Sequence, residues 1–136
     1  MKVSIDGGAP VQITQDPIIM PSISPNGKLI LGTYSMGSIN RVVTIPWEGG
    51  PVKMHFDIER PKAHWSADGN SLLYFGAKDG VGNIWSRSLH GGAPRQVTRF
   101  SDNEDTRWFA VSPSNGQLAV ARGRMIRDIV RILDLK

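Results

Sequence analysis

The chain has 136 residues, enough for one domain, with 40% hydrophobic residues and 15 glycines, which suits a turn-rich globular protein rather than a disordered one. It has no cysteine, which excludes a disulfide framework and thiolate chemistry, and no run approaches the ~18 apolar residues of a membrane helix. The net charge of +4 is mild, and the first residues lack the apolar core of a signal peptide, so neither a membrane nor nucleic acid is expected as a partner and the compartment stays open.

Residues 1–6 align with residues 85–90, so the chain is expected to open on the third strand of a repeat unit. Gly7-Gly8 forms its turn and residues 10–14 its outer strand. The first complete unit runs over 18–56, with strands at 19–24, 28–34, 41–46 and 52–56, and residues 35–40 read as a small-residue loop. The second unit spans 61–100 and is the clearest. Trp65-Ser66 ends a first run, Leu72-Leu73-Tyr74-Phe75 is a second, Asn83 to Leu89 a third, and Arg95-Gln96-Val97-Thr98 a fourth, with 76–82 read as a Gly-rich loop. The third unit, 107–136, offers strands at 107–111, 117–121 and 128–135 and lacks an outer strand. No segment has helical periodicity of adequate length.

The spacing carries the repeat. Gly7-Gly8, Gly49-Gly50 and Gly91-Gly92 recur every 42 positions, and Ser24-Pro25-Asn26-Gly27 lies 42 positions before Ser66-Ala67-Asp68-Gly69. Ser112 follows 46 positions after Ser66, with one residue added in the turn before Gly116. Each marker precedes an apolar run, and each Asn-Gly or Asp-Gly pair tolerates the left-handed backbone of a tight reversal. Four short strands per ~42 residues predict an all-β fold of four-stranded antiparallel β-propeller blades, about three per chain.

The motif Trp65-Ser66-Ala67-Asp68-Gly69, Asn83-Ile84-Trp85, Gly91-Gly92 and Pro94 to Thr98 resembles the TolB-like β-propeller repeat. The first unit departs from it, with Ile23 at the place of Trp65 and Val43 at the place of Trp85. The segments Asp105 to Ser112, Leu118 to Gly123 and Asp128-Ile129-Val130 look like bacterial regulators that carry such a propeller behind a protein-kinase or winged-helix domain. That resemblance implies a non-catalytic protein- or peptide-interaction module, with no cofactor. An alternative of another class is the propeller of an S9-type peptidase without its hydrolase.

Known propellers of this type close with six blades or more. A partial propeller is therefore expected to pair with a second copy into one six-bladed ring, residues 1–14 supplying the outer strand of the other copy's third blade. The plainer alternative is a severed fragment.

Catalytic motifs are absent. There is no G-x-S-x-G elbow, and Ser24, Ser66 and Ser112 recur as turn residues, which suits geometry rather than a unique nucleophile. His55, His64 and His90 lack metal-ligand spacing. The acidic loop with Asp102, Glu104 and Asp105 has oxygen ligands for Ca²⁺ but not the glycine spacing of a known loop, so a solvated connection is the simpler reading, and no metal site is assigned. Arg122, Arg124, Arg127 and Arg131 read as a charged strand edge before they read as a phosphate patch. The remaining candidate is the central channel, which the inner strands should line. Arg60, Lys62, His64, Arg107 and Trp108 are the residues there suited to an acidic or extended peptide.

Overall fold

The computed structural model describes residues 1–37, 39–58, 62–102 and 104–124. These residues hold ten strands and no helix. The first blade is an antiparallel sheet of β1 (Ile18–Ile23), β2 (Leu29–Met36), β3 (Ile39–Pro46) and β4 (Met54–Phe56), paired in that order. The second is β5 (Ala63–Trp65), β6 (Ser71–Lys78), β7 (Val81–Ser88) and β8 (Arg95–Gln96). The third contributes the hairpin of β9 (Asp105–Val111) and β10 (Leu118–Gly123). The all-β propeller architecture expected from the repeat is the one observed. The strand expected at 128–135 lies outside the described residues. At the other end, residues 10–14 form no strand: Lys2 and Val11 make one antiparallel bridge, each amide donating to the other's carbonyl at 2.8 Å.

The recurring serine closes the turn between inner and second strand in the first two blades, while in the third the Gln117 amide donates to the Asn115 side chain instead. The Ser24 hydroxyl accepts from the Leu29 amide at 2.9 Å and donates to the Asn26 carboxamide oxygen at 2.8 Å. Ser66 does the same with the Ser71 amide at 2.9 Å and the Asp68 carboxylate at 2.6 Å. Each serine thereby replaces a missing ladder partner with its own side chain. The turn glycines sit at positive φ (Gly27 at 71°, Gly69 at 70°, Gly116 at 70°), where other residues are strained. The turns also touch: a Cβ on Gly69 would lie 3.2 Å from Pro25 of the preceding blade, so glycine is required there on two counts.

Two expected loops are instead strand. Residues 76–82 were expected to form a Gly-rich loop, yet the β6–β7 ladder continues to Lys78 opposite Val81, leaving only Asp79-Gly80 as the reversal. Both have positive φ, 53° and 78°, as a type I′ turn demands. Likewise β2 and β3 remain paired to Met36 opposite Ile39 rather than opening at 35–40. The glycine at 76 serves packing rather than turning. The Trp85 indole lies over it, donates to the Gly76 carbonyl at 3.1 Å, and would be 2.8 Å from a Cβ there.

Blades stack face to face. Alternation along each strand sends one set of side chains to the near face, toward the preceding blade, and the other to the far face. Leu31, Val42, Phe56 and Ile58 on the far side of the first blade meet Trp65 and Leu72 on the near face of the second. Leu73, Phe75 and Ile84 on its far face meet Phe109, with Val111, Leu118 and Val120 packed around them. One polar lock ties the outer strand in. Buried Asn83 accepts from the Thr98 hydroxyl at 2.9 Å and the Phe100 amide at 2.8 Å, while Thr98 accepts from the Ile84 amide at 2.9 Å.

Gly76→Ala is expected to destabilise the chain by about 1–3 kcal/mol, because the methyl group must displace the indole and strain its hydrogen bond. Equilibrium denaturation checks this, and an unchanged midpoint would mean that the Trp85 contact is not tight.

Candidate functional site

The inner strands do not run as simple ladders. β1 carries a bulge, with Met20 and Pro21 together opposing Gly32, and β9 carries another at Arg107, which has no partner between Trp108 opposite Ala121 and Thr106 opposite Arg122. Bulges bend a strand and re-aim its side chains. Met20 is forced to φ 52°, a left-handed conformation that costs a residue with a Cβ of order 1–3 kcal/mol. Gly32 accommodates the kink, since a Cβ there would fall 2.3 Å from the Ile18 Cγ2.

The bends open a cleft of about 240 Å³ between the three inner strands, lined by Met20, Ser22, Lys62, His64 and Trp108 together with Gly32 and Thr33 of β2. Its floor is apolar. His64 packs edge-on against Trp108 (ring centroids 5.7 Å apart) and against buried Phe109 at 4.6 Å. This partial burial holds the imidazole pKa below its ordinary value of 6.5, so the ring is neutral at pH 7. The exposed Lys62 ammonium lies 5.4 Å from the Trp108 ring centroid. Trp108 is itself 48% exposed, an unusual state for an indole. A cation above an open aromatic face, beside an apolar ring, suits an anionic group attached to an apolar or extended chain.

Of the five residues expected at the channel, the structure brings together Lys62, His64 and Trp108. Arg60 lies outside the described residues. Arg107 is exposed and does not line the cleft: it is the unpaired residue of the bulge and, next to Trp108, falls outside the inward alternation. Met20 and Ser22 occupy inner-strand positions readable from the repeat. Gly32 and Thr33 come from a second strand and were not expected; the only sequence trace of their access is Pro21, a residue that within a strand marks a bulge or an edge.

Elsewhere the charges are structural. Arg122 grips Asp102 through both terminal nitrogens, stacks on Phe100 at 3.7 Å, and lies 3.7 Å from Glu104 Oε2. Asp102 is held below the usual carboxylate range, first by that hydrogen bond and then by the Glu104 amide. The acidic loop and part of the arginine crowd thus satisfy each other. Among the described residues no three His, Asp or Glu side chains converge as metal ligands, and no helix is long and apolar enough to cross a membrane.

The backbone is similar to the crystal structure of TolB from Acinetobacter baumannii. The TM-score is 0.58, with 20% identity over 74% of this chain. This is a TolB-like β-propeller fold. The matched part spans 25% of that protein, and at this identity the likeness speaks for fold alone. No family model and no curated protein matches the sequence.

Because the native fold disfavours protonated His64, the unfolded chain takes up that proton first on acidification. The histidine's contribution is therefore fully present above the unfolded-state value of 6.5 and is lost as the pH falls below it through the lower value of the folded state. His64→Gln is expected to flatten this part of the stability profile between about pH 7 and 5. Denaturant midpoints for both proteins check it, and parallel profiles would show that His64 is not desolvated.

Proposed function

We propose that the chain is a non-catalytic interaction module that binds an acidic, extended segment of a protein or peptide in the cleft between its inner strands. The observation carrying this reading is the exposed Trp108 face with the Lys62 ammonium above it and the bent β1 backbone beside it. Lys62 supplies the attraction, Trp108 and His64 the apolar contact, and the narrow cleft favours a chain over a bulky ligand. The strain at Met20 belongs to the same picture, since left-handed non-glycine residues gather where a surface is shaped for binding. The sequence resemblance of Asp105 to Ser112 and Leu118 to Gly123 to the propellers of bacterial kinase or winged-helix regulators is the support for reading such a module as the sensory or scaffolding end of a larger protein.

A dye-labelled peptide of alternating Glu and Ala tests the proposal against its Gln/Ala counterpart by fluorescence anisotropy. The acidic peptide is expected to bind more tightly, and Lys62→Glu and Trp108→Ala are each expected to weaken it by about fivefold or more, the scale of a lost contact worth about 1 kcal/mol. Equal binding of both peptides, or no loss in either variant, would refute it.

A further inference from the structure

The two ends of the described blade stack are unlike each other. On the near face of the first blade Ile30 and Ile45 are buried beneath neighbouring residues of the chain, while Ile23 is left exposed. A cavity of about 370 Å³ remains over them. Ile23 stands at the repeat position of Trp65, yet it is 55% exposed where Trp65 is 7% exposed. Residues 1–14 are pinned onto this blade. Lys2 Nζ lies 3.1 Å from Glu48 Oε2, and the Gly50 amide donates to the Ile13 carbonyl at 3.0 Å. In repeat register, Lys2 and Val11 hold the third- and outer-strand positions of a preceding blade. The cavity beside them is bounded by Ile18, Pro21 and Ile23 of β1 and Ile30 of β2.

The far face of the third blade is the complement. β9 and β10 are an inner and a second strand, and their near-face residues Phe109, Leu118 and Val120 pack on the second blade. Alternation therefore turns Ala110 and Ala119, a registered pair, together with Ala121, to the far side, where all three are exposed. Both described joints are built from the same pair of positions: Leu31 with Trp65 in the first, Leu73 with Val111 in the second. Continued by the 42- and 46-residue offsets, the next pair is Ala119 with Ile23. Small side chains on one face and the exposed Ile23 on the other make a knob-and-recess match.

We infer that the far face of β9–β10 in one copy docks on the near face of β1–β4 in a second copy, repeating the blade joint between molecules. The interface is heterologous, since it joins two different surfaces, and it must be made twice for a pair to close. A closed pair covers both exposed faces and fills both cavities. This docking is independent of what the inner cleft binds.

The chain has no native cysteine, so engineered thiols report on it cleanly. Ile23→Cys and Ala119→Cys, purified separately, mixed and mildly oxidised, are expected to give a cross-linked dimer at least tenfold faster than either variant alone. Light scattering of the unmodified 136-residue chain is expected to give twice 14.9 kDa. Ala119→Arg, a change at a site exposed in the single copy, is expected to leave the β-sheet circular dichroism intact and the mass at 14.9 kDa. A monomer at every concentration would overturn the inference. So would masses that climb without limit, cross-linking dominated by Ile23→Cys with itself, or an unaltered dimer in the arginine variant.

Discussion

A blade of this protein is a sheet with two apolar faces, and no such sheet is stable until both are covered. Everything else in the structure follows from how neighbouring blades meet that requirement. The joint between the first two blades shows the solution in detail. Trp65 fills the space beside Leu31, Val42 and Phe56, and its indole nitrogen donates to the Ser22 carbonyl at 3.2 Å. A large apolar ring thus drives the packing while its one polar atom fixes the register across blades. The carbonyl it reaches belongs to β1 immediately beyond the Met20-Pro21 bulge. The distortion that opens the cleft and the bond that holds the blades are neighbours on one strand.

That adjacency links packing to binding. The inner strands are bent where they are bridged, and the bend exposes the Met20 side chain and admits Gly32 and Thr33 to the cleft wall. His64 lies in β5, the short strand that also carries Trp65, and Lys62 immediately precedes it. A change in the blade joint would therefore move the cleft, and an occupied cleft would bear on the joint. The second blade has a central place here, because it alone among the described blades is covered on both faces by other sheets.

The architecture was legible because its markers are obligatory. A serine that must cap its own turn and a glycine that must sit at positive φ cannot drift, so Ser24, Ser66, Gly27 and Gly69 keep their spacing. The apparent loops were misread for a related reason. Glycine signals both a turn and a close approach, and only the side chain above Gly76 tells which of the two applies. The cleft was legible in part. Alternation along the inner strands pointed to Lys62, His64 and Trp108, whereas Arg107 qualified by its charge alone and, next to Trp108, has the opposite parity. The pairing of Arg122 with Asp102 spans 20 positions and has no periodic signature, so it could come only from the tertiary structure.

The central claim is that the blade joints, more than the individual sheets, hold the protein together, with the second blade as the keystone. Native-state hydrogen exchange tests this most directly, because it reads the opening free energy amide by amide. The slowest amides are expected in β6 and β7, at Leu73, Phe75 and Ile84, with β1 and β10 opening at lower cost. Equal protection across all three blades, or faster exchange in β6 and β7 than in β1, would contradict it.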